Sequence, residues 1–157
     1  MSNFKFSNNY RLSRCNFDGS DLSGTIFDCG LSYCSFVNCI IKYLVKINST
    51  DLNNTLWTGI DFKLFKFIVS VNFTGSIFKN CIFTDVDCSK FGFTGCTFIK
   101  CIMSKGNFAG SNFSDSVFNY CNCDDTNFSG CNMSKTKRSN TEFKNSNLSN
   151  AIGVTIN

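Results

Sequence analysis

The feature that most constrains this chain is an apolar residue at every fifth position. From Phe73 the series runs Phe78, Phe83, Cys88, Phe93, Phe98, Met103, Phe108, Phe113, Phe118, Cys123, Phe128, Met133, Arg138, Phe143 and Leu148, and Arg138 is its one charged member. The residue two places before each centre is small in most units, as at Ser76, Cys81, Cys96, Cys101, Ser111 and Thr126; Val71, Val86 and Phe91 are larger. The first part repeats with three slips. Leu12, Phe17, Leu22 and Phe27 are followed by a four-residue step to Leu31, Phe36 and Ile41. A six-residue step then leads to Ile47, Leu52, Trp57, Phe62 and Phe67, and a second one to Phe73. The 28 centres hold fifteen of the 19 Phe.

A period of five fits neither a helix nor a plain strand. It fits a short extended segment followed by a bend. Side chains alternate along extended chain, so a centre and the residue two before it point the same way. The next two residues turn the corner, and seven of the eleven Gly lie two places after a centre, where a positive φ is easily taken. Proline would remove a ladder hydrogen bond on any such face, and the chain has none.

A second period of 20, the spacing that four such segments to a circuit would demand, is also visible. Cys81, Cys101 and Cys121 are 20 apart, as are Asn107, Asn127 and Asn147. The centres therefore fall on four ladders. The first runs from Leu12 through Leu52, Phe73 and Phe93 to Met133, and the second from Phe17 through Trp57 and Phe78 to Arg138. The third runs from Leu22 through Phe62 and Phe83 to Phe143, and the fourth from Phe27 through Ile47 and Phe67 to Leu148.

The stretches NFDGSDLSGTIF (16–27), NFTGSIFKNCIF (72–83) and GNFAGSNFSDSVF (106–118) resemble the pentapeptide-repeat family. The resemblance implies an all-β fold, a right-handed quadrilateral parallel β-helix of about seven coils. At roughly 4.8 Å per coil this is a rod about 34 Å long. One domain is expected over 1–157: an N-terminal cap at 1–9, repeats at 10–150, and a C-terminal strand or tail at 151–157. Phe4 and Phe6 are expected to fold over the first coil, and the alternation of Ile152, Val154 and Ile156 reads as a final strand or as an edge for an end-to-end homodimer.

The chain has no His, which removes Ser-His-Asp triads, Cys-His dyads and His-containing zinc sites. The eleven Cys occupy small or centre positions of the repeat and lack C-x₂-C spacing, so they read as compact apolar filler rather than ligands or nucleophiles. No enzyme, metal or cofactor is expected. A net charge of +4 on 157 residues is too mild for a nucleic-acid stripe. No apolar run suits a membrane span or a signal peptide, and the odd thiol count suits a reducing interior. A cytoplasmic, bacterial setting is expected.

Function should then lie on outward residues. The Phe- and Cys-rich units, DLSGTIF (21–27) among them, are similar to the quinolone-resistance subgroup, in which the rod protects DNA gyrase or another type II topoisomerase by mimicking DNA. That resemblance assigns the phosphate-mimicking role to the third-face carboxylates Asp21, Asp61, Asp85, Asp124, Asp125 and Glu142. The alternative is an effector or scaffold module that binds another protein. Its anchor would be the apolar residues at the two six-residue slips, Tyr43, Leu44, Ile68 and Val69, read as one patch.

Overall fold

Two inward residues per unit and a tight corner are the whole local grammar of the molecule. The structure, a computed structural model, describes residues 4–7 and 12–154. Every repeat centre is buried or half-buried, and most small positions are buried beside it. The corner residue two after a centre takes a left-handed conformation, as at Gly75 (φ 72°), Asn80 (φ 51°) and Tyr120 (φ 55°). In many turns the centre carbonyl accepts the N–H three residues on, for example Ser76 N to Phe73 O at 2.9 Å.

Stacking these turns builds two continuous sheets. On the second face, β3 (Ser35–Val37), β5 (Leu56–Thr58), β7 (Ile77–Lys79), β8 (Thr97–Ile99), β9 (Val117–Asn119) and β10 (Lys137–Ser139) form one six-stranded parallel sheet. Its register stacks Phe36, Trp57, Phe78, Phe98, Phe118 and Arg138. On the fourth face, β1 (Lys5–Phe6), β2 (Ile26–Phe27), β4 (Val45–Ile47) and β6 (Phe65–Phe67) form a four-stranded parallel sheet. Elsewhere single parallel bridges join the coils, such as Asn72 to Gly92 on the first face and Ile82 to Ile102 on the third. The architecture is a right-handed quadrilateral parallel β-solenoid of about seven turns.

The rings inside stack as the ladders require. Phe78 lies over Phe98 at 4.9 Å, Phe93 over Phe113 at 4.8 Å, and Phe36 over Trp57 at 4.1 Å. Each fully buried ring contributes about 1.5–3 kcal/mol before chain entropy is set against it.

The polar inward groups are satisfied by one recurring bond. The side chain at the small position reaches a centre carbonyl one coil below. Cys96 Sγ reaches Phe73 O at 3.0 Å, Ser111 Oγ reaches Cys88 O at 2.8 Å, and Thr126 Oγ1 reaches Met103 O at 2.9 Å. Thiol and hydroxyl thus serve the same acceptor. All eleven cysteines are free, and nine are buried.

At the N-terminal end Phe6 packs against the first coil, edge-on to Phe17 at 6.2 Å. It extends the fourth ladder downward, pairing in register with Phe27 and stacking on it at 5.2 Å, while Phe4 is exposed. At the other end Ile152 bridges Asn132, and Val154 packs on the core. Gly153 stands at the next centre position with φ 71°, and a Cβ there would lie 2.4 Å from Ser134 Cα. Only glycine fits, and the chain leaves the repeat at that point. Ile156 lies outside the described residues.

Candidate functional site

The outward residue just before each centre decides what a face offers. In many units it is Asn or Asp, and its side chain accepts the backbone N–H two residues on. Asn72 binds Thr74 N at 3.0 Å, Asn112 binds Ser114 N at 3.0 Å and Asn122 binds Asp124 N at 2.9 Å. These are local Asx turns that hold the corner.

Two of the six third-face carboxylates do this structural work. Asp21 accepts Ser23 N at 3.0 Å, and Asp61 accepts Lys63 N at 2.9 Å. The Ser23 hydroxyl and N–H hold the Asp21 carboxyl below its usual range. The others are also engaged. Asp85 pairs with Lys63 at 3.6 Å, Asp124 accepts Lys144 N at 3.0 Å, and Asp125 accepts Asn145 Nδ2 at 3.3 Å. Glu142 is exposed and bridges Asn122 through the backbone. The six are spread from the first coil to the seventh and do not form one stripe. Their column is interrupted by Ile40, Ile82 and Ile102, with Ile40 and Ile102 46% and 43% exposed.

Those isoleucines are what the sequence reading passed over. They stand where the repeat places Asn or Asp, and so do Leu56, Ile77 and Val117 on the second face. Each gives up the turn-capping side-chain bond and turns an apolar group outward. The signal was present in the sequence as an apolar residue at a position that elsewhere is polar. With Tyr120 at their shared corner, 61% exposed, these residues line the second and third faces.

The two six-residue slips project as expected, with Tyr43, Leu44, Ile68 and Val69 all exposed. They stand on opposite edges of the fourth face. Leu44 borders a groove with Phe62, Phe65, Asp85 and Asp87, whereas Val69 borders another with Asp28, Cys29, Asn48 and Asp51. Between the edges lie the outward Lys46 and Lys66 of adjacent strands. Inside this face Val45, Phe65 and Val86 fill the small slots of successive coils. A 3₁₀ turn at Phe62–Leu64 leads into β6.

Among the described residues no group of three or more His, Cys, Asp or Glu is placed to hold a metal ion. Burial pushes the Cys96 thiol up to about 12 and those of Cys34 and Cys131 up to about 11, so these thiols are not nucleophiles at neutral pH.

The geometry defines a right-handed quadrilateral β-solenoid. The Pentapeptide repeat region matches residues 71–152, and the chain belongs to the pentapeptide-repeat family. Two solved structures of trypsin-treated variants of QnrB1, described as a plasmid-mediated fluoroquinolone resistance protein, are similar to it. They are 20% and 19% identical, with TM-scores of 0.52 and 0.53, and the match covers 93% of this chain and 88% and 87% of theirs. HetL, described as a pentapeptide repeat protein involved in heterocyst differentiation regulation in the cyanobacterium Nostoc, is 11% identical with a TM-score of 0.32, over 95% of this chain and 89% of its own. No curated protein sequence matches.

Proposed function

We propose that this protein is a non-catalytic binding rod that holds a protein partner on its second and third faces. The observation that supports this is the replacement of turn-capping Asn or Asp by Ile40, Leu56, Ile77, Ile82, Ile102 and Val117 on those two faces. Stability alone favours the capping residue, whereas outward apolar residues, of which Ile40, Ile77 and Ile102 are exposed and the others half-buried, suit a partner. The first face carries Asp51, Asn72, Asn112 and Asn132 at this position, with Gly92 among them and a single isoleucine, Ile152, in the last coil. A photo-crosslinking residue at Ile102 should give a specific protein adduct in extract of the source cells, and Ile77→Asp should abolish it. Equal adducts from Asn112 on the first face would overturn the reading.

A second reading is a type II topoisomerase such as DNA gyrase as the partner, bound by carboxylates that stand in for DNA phosphates. It draws on the resistance role in the description of QnrB1, which has the same fold, and on the six third-face acids. The net charge of +4 and the interrupted acidic column favour the first reading. Quinolone-inhibited gyrase supercoiling with micromolar protein added tests the second. Rescue or inhibition supports it, and neither effect removes it.

A further inference from the structure

The N-terminal half of the fourth face carries an unusual pair. Lys46 and Lys66 point outward from directly paired residues of β4 and β6. Their Cα atoms are about 4.8 Å apart, both are exposed, and neither has an ion pair among the described residues. Like charges directly opposite in a sheet are unfavourable. Nearby Lys5 shows the usual remedy, since it pairs with Asp28 at 3.0 Å. The two uncompensated lysines lie between apolar edges, Tyr43 and Leu44 on one side and Ile68 and Val69 on the other.

We propose that this face binds an acidic, extended protein segment. Its carboxylates neutralise Lys46 and Lys66, and its apolar side chains rest on Leu44 and Val69. The charge supports a carboxylate partner over a polyphosphate one. Asp87 follows Lys66 on the same face, and Asp85 lies at the groove beside Leu44. A short peptide can place its acids over two lysines and avoid the aspartates, whereas a duplex or a lipid surface cannot. This assignment rests on the protein-binding reading but uses a different face from the isoleucine strip.

The test uses the full chain and a fluorescein-labelled eight-residue peptide alternating Glu and Leu, read by anisotropy. Binding should weaken with salt. Lys46→Gln with Lys66→Gln should weaken it about tenfold, and Leu44→Ser with Val69→Ser should also weaken it. Lys100→Gln with Lys137→Gln, on the second face and its corner, should not. The lysine double variant should melt no lower than the parent, which separates lost binding from lost folding. No binding of the peptide, equal binding of its Gln-for-Glu form, or equal binding by the lysine double variant overturns the proposal. Tighter binding of a 20-base-pair duplex or of phosphatidylserine vesicles, lost in the same double variant, also overturns it. Crosslinking from position 102 is unaffected by any of these results, so a failure here leaves the wider reading standing.

Discussion

The Cys96 thiol sits 3.0 Å from the carbonyl oxygen of Phe73, a residue 23 positions earlier and one coil below. Cys131 makes the same bond to Phe108 O at 2.9 Å. Because Ser111 and Thr126 do so with hydroxyls, the slot selects a small donor rather than sulfur chemistry. Cys96→Ser should therefore change the free energy of urea unfolding by less than about 1 kcal/mol. Cys96→Leu, which overfills the slot, should cost about 1–3 kcal/mol.

Thiol accessibility should follow position in the rod. Cys15 and Cys39 are half-buried and the other nine are buried. Ellman's reagent should label Cys15 and Cys39 first in the folded protein and the rest only in denaturant. Rapid native labelling of Cys96 or Cys131 would contradict the packing.

Alkaline pH should destabilise the fold. Burial raises the thiols of Cys34, Cys96 and Cys131 to about 11, 12 and 11. The unfolded thiol ionises near 8.5, so above that pH the folded chain holds more protons than the unfolded one. Stability is fully present below about pH 8.5 and falls as pH rises through the folded values. The urea midpoint should drop between about pH 9 and 11, and substituting these three cysteines by Ser should flatten the drop.

Acid should loosen the N-terminal strand. Lys5, and then Asn48, hold the Asp28 carboxyl below its usual range. The folded chain therefore binds fewer protons than the unfolded one as pH falls toward about 3.9, and acid favours opening. The protection of the β1 amides relative to their intrinsic exchange rate should fall below about pH 4. Asp28→Asn should lower that protection at pH 7 and remove its dependence on pH.

Stability and binding should trade against each other at Ile102. Ile102→Asn restores the turn bond that Asn122 makes to Asp124 N. The variant should gain about 0.5–1 kcal/mol in urea, and in it a photo-crosslinking residue placed at Ile77 should no longer give the partner adduct. A loss of stability would show that Ile102 serves the fold rather than a partner.

The five- and twenty-residue periods were legible because each coil repeats the same inward demand. That set the ladders, the paired faces and the place of the cysteines. Phe6 was harder, since it lies 21 residues before Phe27 with only one further residue of strand beside it. The outward isoleucines were missed because centres and small positions were followed rather than the residue between them. Tyr43, Leu44, Ile68 and Val69 were legible as exposed. Their division between two grooves was not, because the ladder map gives the coil and face of a residue but not the edge a bulge overhangs.

The bonds from small position to centre carbonyl also give the rod a direction. Where they cross between coils, the later coil donates and the earlier coil accepts, as from Cys101 to Phe78 and from Ser146 to Cys123. Removing a coil from the C-terminal end leaves no small-slot donor of this kind unpaired, although backbone donors such as Phe113 N, which binds Asn132 O, lose their acceptors. Removing one from the N-terminal end strands buried donors, the condition of Thr25, whose buried hydroxyl has no partner among the described residues. Chain growth on the ribosome starts from the end that accepts. Each new coil therefore brings its small-slot donors to acceptors already in place.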